Sequence, residues 1–172
     1  MRLYSVAATA SLVLGSIDLR KGVAPMFEAI RLLRGEAVEF WFVGPSRVAI
    51  PDDMRSCPNV RWVGAVPRSE TGRYYRDADV FLFPTFSDGF GLTQLEAQAW
   101  KLPIIATKYC GEVVKDGVNG IVLAEPTGMA IATAVRRCLA DPGWMALLAT
   151  NAVPPDRFSL KEIGEQFLKI MD

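Results

Sequence analysis

DVFLFPTFSDGFGLTQLEAQAWKLPIIAT, residues 79–107, contains one complete structural unit. DVFLFP (79–84) is a short apolar run and reads as a strand. It leads into Phe86–Gly91, a loop with two glycines around an aromatic. The spacing then predicts a helix over about 91–101, and LPIIAT (102–107) is the next strand. Strand, glycine loop, helix and strand in that order is the repeating unit of a parallel sheet.

The same alternation continues outward in both directions. Upstream, SLVLGSI (11–17) reads as a buried strand. VAPMFEAIRLLRG (23–35) reads as an amphipathic helix, with Pro25 in its first turn and Gly35 at its end. VEFWFVG (38–44) is apolar without alternation, as expected when helices cover both faces of a sheet. Residues 46–58 form a polar, proline-punctuated connection. NVRWVGAV (59–66) is a strand, and SETGRYYRDA (69–78) a short helix with Ser69 as its cap. Downstream, NGIVLA (119–124) is a sixth strand, followed by helices over 126–141 and 143–152. After Pro154–Pro155 a closing helix over 159–172 begins with Ser159 and Glu162 as a capping box. The predicted fold is a doubly wound, Rossmann-like parallel α/β sheet of about six strands with helices on both faces.

Composition bounds the function. At 172 residues and 51% hydrophobic, the chain can build a substantial core. A net charge of zero gives no basic surplus for nucleic acid or an anionic membrane. No apolar run reaches the roughly 18 residues that a spanning helix needs. MRLYSVAATASLVLGSI has the outline of a signal peptide, but Leu12–Ile17 reads better as a strand. Cys57, Cys110 and Cys138 form no C-x-x-C pair and histidine is absent, which argues against a zinc site or a disulfide framework. Catalysis by Ser-His-Asp or Cys-His is excluded. The expected location is the cytoplasm, with a peripheral position at the inner membrane face as the variant.

Sheets of this type bind ligands beyond the carboxyl ends of their strands. Three glycine-bearing loops, Gly15–Gly22, Phe86–Gly91 and Lys108–Gly120, follow strands in that way. Gly89-Phe90-Gly91 lets backbone amides approach an anion at a helix start, although the pattern also suits an unliganded turn. Glu96 falls one turn into that helix, beside an apolar stripe of Leu92, Leu95, Ala99 and Leu102. A carboxylate in that position can accept two hydroxyls of a sugar or ribose, or simply be solvated. Lys21, after the first strand, is a natural phosphate contact or a surface lysine. Asp77 and Asp79 resemble a D-x-D metal motif but lie at the amino end of a strand, where a structural role fits better.

FPTFSDGFGLTQLEAQAWKLPIIAT resembles the signature of the retaining GT-B glycosyltransferases of family 4, the group 1 type, with Asp88 and Glu96 in the E-x7-E spacing. GSIDLRKGVAPMFEAI, NVRWVGAVPRSETGRYYRDADVFLFP and KDGVNGIVL extend the resemblance over residues 11–140. It implies the carboxyl-terminal, donor-binding half of a two-domain enzyme that transfers a hexosyl group from a UDP- or GDP-linked sugar, with no tightly bound cofactor and no metal. Residues 1–10 would be an extension or residual linker, and 11–152 the nucleotide-sugar-binding domain. Residues 153–172 would be a helix that packs on the missing amino-terminal domain, or in a homodimer through Leu160, Ile163, Phe167 and Ile170. Asp88, Lys21 and Glu96 would be the catalytic residues. Donor contacts would come from Gly15, Ser16, Arg20, Lys21, Val66, Asp88, Gly89, Phe90, Gly91, Leu92, Thr93 and Glu96. Within that set Glu96 would hold the ribose, Lys21 the departing diphosphate and the 64–67 loop the base. The sequence departs from the family at Ser16, where many relatives carry arginine and Arg20 would compensate. It departs again at Lys101, where relatives often have glycine, and at Cys110-Gly111, in a shortened loop. A nucleotide-binding scaffold without catalysis is the rival reading, and a phosphorylase or epimerase of the same architecture a more distant one.

Overall fold

The structure is a computed structural model that describes residues 8–159 and 161–162. Six strands form one sheet: β1 (Thr9–Leu14), β2 (Val38–Val43), β3 (Val60–Gly64), β4 (Val80–Phe83), β5 (Ile104–Thr107) and β6 (Gly120–Leu123). All pairings are parallel and the order is β3-β2-β1-β4-β5-β6. The helices are α1 (Val23–Leu32), α2 (Asp52–Arg55), α3 (Thr71–Asp77), α4 (Leu92–Ala99), α5 (Gly128–Ala140) and α6 (Pro142–Asn151).

Period-two alternation divides the apolar residues of each strand between two layers. Val13, Phe40, Phe42, Val80, Leu82 and Ile105 join α1, α5 and α6 on one side of the sheet. Ala10, Leu12, Val43, Phe81, Phe83, Ile104 and Ala106 join α3 and α4 on the other. The predicted doubly wound architecture is therefore the observed one. The chain steps from β1 outward through β2 and β3, then returns to place β4 on the other side of β1. That reversal opens a crevice at the carboxyl ends of β1 and β4, where such sheets bind ligands.

Several boundaries shift, for identifiable reasons. The strand expected over 11–17 runs from Thr9 to Leu14, because Gly15 turns out of the sheet at φ +121°. Ile17 keeps a single parallel bridge to Ser46. Helix α1 ends at Leu32 rather than at Gly35, with Leu33 as its cap. The connection over 46–58 contains the one-turn helix α2. Ser69 does not cap α3: a 3-10 turn over Arg68–Glu70 comes first and Glu70 takes the cap position, without a side-chain bond. Asp79 is structural, its carboxylate accepting the Ala10 N–H at 2.9 Å at the amino end of the sheet.

The stripe expected on α4 is also different. Leu92 is 67% exposed, and the wholly buried side of the helix is Gln94, Ala97 and Gln98. Of the capping box, the Glu162 N–H donates to Ser159 Oγ at 3.1 Å. The remainder of the closing helix, with Leu160, Ile163, Phe167 and Ile170, lies outside the described residues. Among those described, no helix is long and apolar enough to cross a membrane.

Candidate functional site

The three glycine loops are tied to one another at the carboxyl rim. Phe86 N–H donates to Arg20 O at 2.9 Å, and Thr85 Oγ1 donates to the same carbonyl at 2.9 Å. Asp88 N–H bonds Tyr109 O at 2.9 Å, and Gly111 N–H bonds Phe90 O at 3.1 Å. Gly22 permits the first of these contacts. Its φ is +78°, and a Cβ there would sit 2.0 Å from Pro84 O. Backbone from β1 and β4 therefore meets with no side chain between.

Helix α4 begins at Gly91, a left-handed N-cap at φ +77° with no side-chain capping bond and no acidic residue in the first turn. Its first-turn amides and positive dipole end face the rim uncapped by a side chain. Asp88 lies just ahead of it. Its carboxylate pairs with Lys21 Nζ and with Arg20 Nη1, the latter at 3.4 Å, and accepts the Phe90 N–H. Burial pushes the Asp88 carboxyl up, but the ammonium, the amide and the guanidinium together outweigh it and hold the group below its usual range. Lys21 also stands 4.5 Å over the Phe83 ring. Arg20 Nη1 donates to Ser87 O at 2.8 Å.

One turn along α4, Glu96 accepts from Tyr75 OH at 2.8 Å through Oε2, while Oε1 lies 3.4 Å from Arg68 Nη2. Thr93 Oγ1 is buried without a hydrogen-bond partner among the described residues. Gly15 ends β1, and Ser16 Oγ accepts from Arg47 Nε at 3.1 Å. Val66 is half-buried against the layer that holds α3 and α4, after Gly64. Leu92 is exposed at the mouth. Phe90 meets Phe158 edge-on, centroids 4.9 Å apart. The sequence-predicted Arg20, Lys21 and Asp88 thus form a cation–carboxylate cluster just ahead of α4, and Glu96 lies one turn into that helix.

Reading the sequence alone missed five participants. Arg47 came from a segment read as irregular, so nothing pointed it at Ser16. Tyr75 lies in a Tyr-Tyr pair that reads as core. Gln94 and Gln98, at i and i+4, lie outside the apolar stripe expected on that helix. They are wholly buried, and their carboxamides donate to Gly111 O and Val113 O, both at 3.4 Å, so the helix and the loop after β5 close on each other, while Gln94 also donates to Phe90 O at 2.9 Å. Phe158 lies beyond the Pro154–Pro155 break, where sequence gives no contact information. Burial pushes the Cys110 thiol up to about 11, so it stays protonated and is no thiolate nucleophile at neutral pH. A cavity of about 600 Å³ opens between Ala8, Glu36, Val38 and Asn59 at the amino ends of the strands. The rim residues line a smaller one of about 210 Å³ between Gln94, Lys108, Cys110 and Glu112. Cations and the first-turn amides of α4 converge on the rim and not on the larger cavity.

The sequence profile of the family described as Glycosyl transferases group 1 matches residues 9–141. A sucrose synthase from Denitrovibrio acetiphilus is 35% identical over 130 residues, which take in 69% of this chain and 16% of that protein. The C-terminal domain of the glycosyl transferase group 1 protein LpcC from Francisella tularensis superposes with a TM-score of 0.71 at 22% identity, over 86% of this chain and 84% of that one. HepE from Anabaena, in complex with UDP, gives 0.76 at 19% identity, over 95% of this chain and 48% of that protein. At those identities the superpositions speak for the fold.

Proposed function

The chain belongs to the glycosyl transferases group 1 family, and on that premise we propose that it is the donor-binding domain of a retaining enzyme of the GT-B type, taking a nucleoside-diphosphate hexose. One observation carries the reading. Lys21 and Arg20 converge on Asp88 immediately before a helix whose amino end has no side-chain cap. The Asp88 carboxylate balances those cations. A diphosphate supplies more negative charge at the same place, and the helix end and the Gly89–Leu92 amides add donors for it.

The chemistry of such a donor matches these groups. Breaking the sugar–phosphate bond leaves a nucleoside diphosphate that carries the bonding electron pair away. Lys21, Arg20 and the amides of α4 stabilise the charge as it develops, which is where fixed donors lower a barrier most. Thr93 Oγ1, buried without a partner among the described residues, is a donor that a phosphate oxygen would engage if the loop shifts to expose it. Asp88, released from Lys21 when phosphate takes the ammonium, is free to accept a sugar hydroxyl. Glu96 accepts the ribose hydroxyls, and the 64–67 loop with Val66 borders the base. Gly15 and Ser16 leave backbone access beside the diphosphate. UDP, bound in the HepE complex, and GDP are the nucleotides to test first. The chain spans 16% of the sucrose synthase it matches and 48% of HepE. Acceptor recognition is accordingly assigned to a separate amino-terminal domain.

Calorimetric titration with UDP, GDP and ADP, and with their glucose and mannose conjugates, tests the reading. At least one nucleotide is expected to bind. Lys21→Ala should weaken it roughly tenfold or more, the loss of a charge-assisted hydrogen bond. Failure of the whole panel to bind would overturn the proposal, as would a Lys21→Ala variant that binds like the wild type.

A further inference from the structure

Resting on the reading of Glu96 as the acceptor of ribose hydroxyls, we propose that Tyr75 is the positioning residue of that site: its phenol fixes one oxygen of the Glu96 carboxylate and leaves the other for the ribose diol. Tyr75 lies on α3, 21 positions before Glu96. Its ring is only 2% exposed and packs within the apolar layer beside Phe81, centroids 5.9 Å apart. The ring has no room to change rotamer, and its hydroxyl leaves that layer to donate to Glu96 Oε2 at 2.8 Å. Burial and the facing carboxylate push the phenol's pKa upward, so it remains a donor at every pH where the protein is folded.

Glu96 itself is not packed in place. Its side chain is 37% exposed, and its other contact is Arg68, at 3.4 Å and with a side chain 93% exposed. A glutamate with that much freedom pays rotamer entropy when a ligand fixes it. A rigid donor on a neighbouring helix removes the freedom in advance, the usual source of affinity from preorganisation. A carboxylate has about four lone-pair directions, so one bond from Tyr75 leaves capacity for two hydroxyls. Read without function, the same bond would only staple α3 to α4, and the two roles part on ribose.

The test is calorimetry on the 172-residue chain with UDP and GDP, each beside its 2′,3′-dideoxy counterpart. The wild type should prefer the ribose form by on the order of tenfold or more. Glu96→Gln should lose most of that preference. Tyr75→Phe should lose it too, by weakening the ribose form alone, and should have no further effect in the Glu96→Gln background. Unchanged dideoxy binding shows that the variant is folded. Phe81→Leu, which loosens the same apolar layer without touching the phenol, should lower the melting temperature and keep the preference. A Tyr75→Phe variant that weakens both forms equally, or that keeps its preference when Glu96→Gln loses it, overturns the role of Tyr75 and leaves that of Glu96 standing. Loss of preference in Phe81→Leu also overturns it, because loosening alone would then suffice. A wild type that binds neither form, or both equally, overturns the reading of Glu96 and the role of Tyr75 with it.

Discussion

At the scale of single residues the informative feature is that the site's cations are already occupied. Lys21 and Arg20 are paired with Asp88. A phosphate must therefore compete with a carboxylate for them. Asp88→Asn keeps the shape and removes the competitor, so its affinity for pyrophosphate, a probe with no sugar for Asp88 to hold, is expected to rise several-fold in calorimetry at fixed ionic strength. An unchanged or lower affinity would mean that Asp88 does not hold the cations back. The same pair fixes a pH dependence. The Asp88 carboxyl titrates below its ordinary 3.8 in the folded state. A lowered folded value contributes stability that is complete above the ordinary carboxylate range and is lost as pH falls through the lowered value. Urea midpoints measured from pH 6 down to pH 3 should fall less steeply for Asp88→Asn than for the wild type. Lys21, Asp88 and Glu96 were readable in the sequence because each sits at a fixed step from a glycine turn. Arg47 and Tyr75 were not, since each reaches its partner across the fold, over 31 and 21 positions.

At the scale of elements, α4 shows what pattern can and cannot reveal. Its existence and its glycine start follow from the sequence, but its inward side does not, because Gln94 and Gln98 are buried by hydrogen bonds to a loop whose path no periodicity encodes. Its end does follow. Lys101 has φ +60°, the one positive value outside glycine among the described residues. Leu102 N–H bonds Ala97 O and Lys101 N–H bonds Gln98 O, both at 2.9 Å, which is the paired closure of a Schellman motif. A side chain at that left-handed position costs about 1 kcal/mol. Lys101→Gly is expected to regain about that much, seen as a melting temperature higher by roughly 2–4 °C. An unchanged or lower value would mean that lysine's contacts offset the strain. The opposite sign holds at the start of α1. Gly22→Ala combines a positive φ with a Cβ 2.0 Å from Pro84 O. It should destabilise by about 3 kcal/mol or more in urea titration, and a loss below 1 kcal/mol would show that the β1 and β4 loops can part.

At the scale of the molecule, the sheet order places every donor group on one rim, and that rim stays open. Leu19, Phe86 and Leu92 stand around it at 63%, 50% and 67% exposure. The alternation of apolar runs made the sheet and its two layers legible, because both faces of every central strand must be covered. The openness of the rim was not legible, since it depends on what the loops leave bare. Binding and transfer make different demands on such a site. On the proposed reading, binding a nucleotide needs the cations, the amides and Glu96, all of which lie within this chain. Group transfer also needs water kept from the anomeric carbon and an acceptor held within reach, demands that the cations and amides of this rim do not themselves meet. HepE, with this chain's fold as 48% of its length, has a second half in which those parts can reside. The 172-residue chain is therefore expected to bind its nucleotide sugar but to release no more free nucleotide than a Lys21→Ala control when incubated with it. Chromatography of the reaction mixture checks this. Release well above that control, with or without an acceptor, would place the catalytic parts within this chain and return Asp88, the carboxylate just ahead of α4, to consideration as a group acting on the anomeric carbon itself.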